Sequence, residues 1–144
     1  MSKQSPFHES KYQFKKGAKG CCPLVDVTIG KSQKTITVLA DTGCSVGLAI
    51  LNNQITGLEL GEKISDDSYG ITVADGHKIE ADLYKANICL NGITEKVAIL
   101  VLNPSKFTVD PDAPQTIAYL GRGFLDKFNV LFQGKEQKVA FFQP

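Results

Sequence analysis

The chain has no tryptophan, one methionine and two histidines in 144 residues. His8 and His77 lie far apart, and Cys21, Cys22, Cys44 and Cys89 form no Cys-x-x-Cys pair. Zinc sites draw their ligands from such close pairs, so neither a metal nor any other cofactor is expected. Neighbouring Cys21 and Cys22 would strain a bond between themselves, so reduced thiols are expected. The first ten residues, MSKQSPFHES, lack the apolar core of a secretory signal, which makes a cytoplasmic home the expectation. No apolar run approaches the ~20 residues that span a bilayer, so no membrane partner is expected. Charge of one sign is also missing. A net charge of +1 gives no electrostatic footprint for nucleic acid.

What is present is one domain's worth of chain with ordinary globular composition, 42% hydrophobic. Residues 1–20 are polar and basic and read as a flexible tail; residues 21–144 read as the folded domain. Leu24, Val25, Val27 and Ile29 lead to a turn at Gly30-Lys31-Ser32, after which Ile36, Val38 and Ala40 alternate. That is a β-hairpin. Gly30-Lys31-Ser32 matches the end of a phosphate-binding loop, but the glycine that motif needs at position 25 is Val25, which excludes that nucleotide motif. Further on, Ile71 to Ala74 and Lys78 to Tyr84 flank Asp75-Gly76, a strong hairpin signal. Strands follow at Ala86 to Leu90 and Glu95 to Leu102, joined by Asn91-Gly92. Pro104, Pro111 and Pro114 mark a long loop, and the last strands surround Gly134. Leu131-Phe132-Gln133-Gly134 matches an expression-tag cleavage site but reads as native, being internal. About eight short strands at this spacing imply an all-β, closed or nearly closed barrel with one or two short helices.

Two stretches carry chemistry. The first is Val38-Leu39-Ala40-Asp41-Thr42-Gly43-Cys44-Ser45, an apolar strand delivering the chain to one acid and a sharp turn. The same triplet can serve as a simple Asx-type turn. An acid at the end of a buried strand is costly, however, because burial disfavours its charged form. The second stretch is Ile117-Ala118-Tyr119-Leu120-Gly121-Arg122-Gly123-Phe124-Leu125, an apolar strand, a glycine break and a helical start. Phe124, Leu125 and Phe128 fall on one helical face.

These two motifs, in this order, resemble the retropepsin-like aspartic proteases, over roughly residues 22 to 143. The resemblance implies a closed acid-protease-like β-barrel with one short C-terminal helix, and an endopeptidase acting on polypeptide. It implies Asp41 as the catalytic acid, Thr42 and Gly43 as its loop, and Gly121 and Arg122 as the bracing motif. A flap hairpin lies between the motifs in that family, which assigns Ala74, Asp75, Gly76, His77 and Lys78 to its tip. Asp-Thr-Gly occurs once here. The chemistry needs two carboxylates, so the resemblance implies a homodimer with the site on its two-fold axis. Ser45 stands where retroviral members carry the acid that pairs with Arg122, which points towards cellular or bacterial relatives. Cys44 reads as a small buried hydrophobe or as a thiol that inhibits when oxidised. Besides an active protease, the sequence allows a silent module of this fold for dimerisation or peptide binding, and a barrel with an unrelated ligand.

Overall fold

Val25, Val27 and Ile29 are buried while Asp26 between them is exposed, the period-two signature of a strand covering a core. The same alternation recurs along most of the chain. The computed structural model describes residues 4–14, 20–31, 34–51, 60–64, 69–72, 78–102 and 118–144. In order, its strands are β1 (His8–Lys11), β2 (Gln13–Phe14), β3 (Cys21–Cys22), β4 (Leu24–Ile29), β5 (Lys34–Ala40), β6 (Leu48–Leu51), β7 (Glu62–Lys63), β8 (Tyr69–Thr72), β9 (Lys78–Leu90), β10 (Ile93–Leu102) and β11 (Ala118–Leu120). Helix α1 (Arg122–Leu125) follows, then β12 (Asn129–Gln133) and β13 (Lys138–Phe142).

Strands β10, β6, β11, β5, β4 and β9 pair in that order, and β9 returns to β10, closing a six-stranded barrel. Closure removes the free edges that would template aggregation. Inside lie Val38, Leu48, Ile50, Ile88, Leu90, Val97, Ile99 and Leu120, capped below by Phe124, Phe128 and Phe141. Each such side chain contributes about 1.5–3 kcal/mol by leaving water. No helix among the described residues is long and apolar enough to cross a membrane.

The turn at Asn91-Gly92 is as expected, with both residues at positive φ (47° and 86°), as a two-residue hairpin of this hand requires. The strands expected on either side of Asp75-Gly76 pair antiparallel, β8 with β9, Thr72 standing opposite Lys78; residues 73–77 between them lie outside the described residues. The expected split near Lys85 is absent, because β9 runs unbroken for 13 residues. Its polar outer face had disguised one long strand as two. The long loop marked by Pro104, Pro111 and Pro114 lies outside the described residues.

The expectation of a flexible tail over residues 1–20 is corrected at its centre. His8–Lys11 is a strand antiparallel to β13, which in turn pairs with β12. Phe7 N–H donates to the Phe141 carbonyl at 2.9 Å and Tyr12 N–H to that of Gln137 at 2.7 Å. The Phe7 ring packs on Phe128 and Phe141, with centroids 5.3 and 6.3 Å away. Charge counting missed this because the anchors are the aromatic rings at Phe7 and Tyr12, set among lysines.

β1 carries a pH dependence. Burial pushes the His8 imidazole below its ordinary value of 6.5, opposed in part by the charge of Asp26. The folded state therefore holds His8 neutral against Phe141, with Ser10 at 2.7 Å from its Nε2. Its contribution is complete above pH 6.5 and is lost as pH falls through the lowered folded value. Cross-strand proton contacts between β1 and β13 are expected to weaken on acidification to about pH 5. They should persist in His8→Phe; equal weakening in both proteins would dismiss His8 as the cause.

Candidate active site

β5 ends at Ala40, and the chain turns at once. Asp41 N–H donates to the Leu120 carbonyl at 2.9 Å, so the loop hangs on β11, which lies parallel to β5. Cys44 N–H reaches back to the Asp41 carbonyl at 3.2 Å and closes the turn. Gly43 N–H donates to Asp41 Oδ1 at 2.8 Å, fixing the half-buried carboxylate. Among the described residues, Oδ2 has no partner. One oxygen is thus anchored by backbone and the other is left for chemistry.

The second motif clasps the first from below. Arg122 N–H donates to the Cys44 carbonyl at 2.7 Å, Gly123 N–H to that of Val46 at 3.1 Å, and Gly121 N–H to that of Gly47 at 3.0 Å. Gly47 N–H in turn donates to the Ala98 carbonyl at 3.0 Å. This closeness explains the glycines. A Cβ on Gly121 would sit 2.1 Å from the Val46 carbonyl oxygen and 2.8 Å from Cys44 Sγ, while one on Gly123 would sit 2.5 Å from Gly47 N. A Cβ on Gly43 would approach Asp41 Oδ1 to 3.2 Å and crowd the carboxylate.

The structure therefore brings Asp41, Thr42 and Gly43 together with Gly121 and Arg122. Thr42 is exposed. Arg122 is exposed too and forms no ion pair among the described residues, consistent with Ser45 replacing an acid. Ala74, Asp75, Gly76 and His77 lie outside the described residues, and Lys78 opens β9. Three contributors were not picked out in the sequence. Gly123 passed as filler within its motif. Gly47 was signalled only by being a glycine inside an apolar run, which marks close backbone approach. The third is Tyr119, 36% exposed on β11. Burial pushes its phenol up, and the charge of Asp41 adds to this.

Cys44 is half-buried, and its Sγ faces Gly121. Burial pushes the thiol up, and the Asp41 charge adds to this; a Val46 backbone hydrogen bond and Arg122 oppose it. A thiol held protonated is a poor nucleophile, which favours the packing role over oxidation sensing. All four cysteines are free thiols. No cluster of three or more metal-ligating side chains occurs among the described residues.

No family model matches the chain, and no curated protein matches it. Among solved structures, it is similar to the EIAV protease complexed with the inhibitor HBY-793. The TM-score is 0.54 at 24% identity, over 73% of this chain and 86% of that one. A closed six-stranded barrel with one short helix, an Asp-Thr-Gly loop hung on β11 and this structural neighbour together give the chain the retropepsin fold.

Proposed function

We propose that the protein is an aspartic endopeptidase whose active site forms on the two-fold axis of a homodimer. The observation that carries this reading is the Asp41 loop. A single carboxylate is fixed by Gly43 N–H, and the loop after it is clasped at the Cys44, Val46 and Gly47 carbonyls by Arg122, Gly123 and Gly121, in a fold shared with a retroviral protease. That neighbour is a protease, which supports a substrate of peptide type.

Asp41 and the partner's Asp41 share one proton, because two facing carboxylates do not ionise together. The ionised member draws a proton from water, and the resulting hydroxide oxygen adds to the scissile carbonyl carbon. The protonated member meanwhile donates to the carbonyl oxygen. Collapse of the tetrahedral species breaks the C–N bond, and the nitrogen leaves with a proton from the dyad. Water is consumed, and one acid and one amine are released. The hairpin between β8 and β9 is assigned as the cover over the peptide.

The outer edge of β12 supports the two-fold partner. β12 is the end strand of its sheet, and Leu131 and Phe132 on it are 47% and 37% exposed. Edge pairing with a second copy would cover both. Sedimentation should show a species near twice 15.6 kDa. Cleavage of a diverse peptide library should be blocked by a statine-type inhibitor, and specific activity should fall on dilution. Placing lysine at both Leu131 and Phe132 counts twice across a two-fold axis, and should weaken the dimer roughly 100-fold and the activity with it. A wild-type monomer that stays monomeric with inhibitor present would sink the reading.

A further inference from the structure

A groove of about 670 Å³ opens on the barrel wall between the β4–β5 turn, β7, β9 and β10. It is separate from the Asp41 loop. The seven residues of β5 run from that turn to Asp41, a separation of roughly 20 Å. Three lysines line it, Lys31, Lys85 and Lys96, against the single acid Glu62.

The backbone fixes their arrangement. Gly30 N–H donates to the Asn87 carbonyl at 2.9 Å, which holds Lys31 against β9. Lys96 stands opposite Asn87 in the β9–β10 register, and Lys85 is two residues along the same face, so the two lysines are diagonal neighbours. Gly61, at φ +82°, brings the start of β7 so close that a Cβ there would lie 2.9 Å from the Lys85 carbonyl oxygen. Glu62 lies opposite Lys85. Even so, none of Lys31, Lys85, Lys96 and Glu62 forms an ion pair among the described residues.

Gathering three unpaired ammonium groups around one groove is unfavourable unless an anion joins them, and a net charge of only +1 does not force such crowding. We propose that this groove binds a small polyanion of phosphate chemistry. Lysine is a compact point charge with three donors, suited to phosphate oxygens spread over several directions, and the exposed Asn87 adds a neutral amide to the lining. Gly30 and Lys31 line the groove without forming the excluded phosphate-loop motif, and the site is independent of the proposed peptidase activity.

The test is titration of the isotope-labelled full chain with inorganic tripolyphosphate, followed by backbone amide shifts, with citrate as the carboxylate arm. Saturable shifts centred on Gly30, Lys31, Ala86, Asn87 and Lys96 are expected, with a dissociation constant of about 0.1–1 mM at low salt and weaker binding near 0.15 M. Citrate should bind several-fold more weakly. Lys85→Gln with Lys96→Gln should lose at least tenfold in affinity while keeping the fold, both side chains being exposed. Lys127→Gln with Lys135→Gln, exposed elsewhere, should lose little. Non-saturating shifts, or equal losses in both double variants, would overturn the site. Citrate binding as tightly as tripolyphosphate would overturn its phosphate class.

Discussion

Asp41→Asn should lower peptide hydrolysis by about 10³-fold or more, with the dimer intact. The amide keeps the size and shape of the carboxyl, and its Oδ1 can still accept the 2.8 Å bond from Gly43 N–H, so the loop has no reason to unfold. What disappears is the proton chemistry. Neither member of an amide pair can take a proton from water or give one to the carbonyl oxygen, and both halves of the dyad are lost together because one gene encodes both. The two-fold association should persist or tighten, since facing carboxylates repel while amides do not. Assay of the purified variant beside wild type, with sedimentation of each, checks both parts. Retention of a tenth of the activity would eliminate the dyad mechanism.

Gly121→Ala should be the most damaging conservative change in the fold. Its added methyl would lie 2.1 Å from the Val46 carbonyl oxygen, 2.6 Å from that of Cys44 and 2.8 Å from Cys44 Sγ. Two of those contacts are with backbone, which no rotamer change relieves. The loop and α1 must part, weakening the bonds from Arg122 N–H to Cys44 and from Gly123 N–H to Val46. Overpacking together with strained hydrogen bonds should cost on the order of 3–4 kcal/mol, a fall in Tm of roughly 10 °C for a chain of this length. Gly134→Ala is the control: a Cβ there meets nothing within 4 Å, and Tm should hardly move. Equal stability of the two variants would mean that the clasp is looser than the distances state.

The barrel was readable because its strands obey one rule. Val25, Val27, Val38, Ala40, Ile88 and Leu90 alternate with outward residues, and Asn91-Gly92 demands a tight turn. The Asp41 loop was readable for the opposite reason, an acid breaking an apolar strand where burial makes it expensive. Contacts between distant segments stayed hidden. Nothing local to Gly123 or Gly47 shows that their backbones touch, and nothing local to Tyr119 shows that the charge of Asp41 reaches its phenol. β1 was missed because its partner strand lies at the other end of the chain, and pairing over that span leaves no periodicity in either piece.

That pairing has a practical corollary. Gln4 Nε2 donates to the Gln143 carbonyl at 2.8 Å, so the chain enters and leaves the fold at one spot. Whatever is tethered ahead of residue 4 and whatever follows residue 143 emerge side by side. A donor fluorophore at one end and an acceptor at the other would start within transfer range. They would separate only when the first strand peels away, turning a local event at one seam into an optical signal.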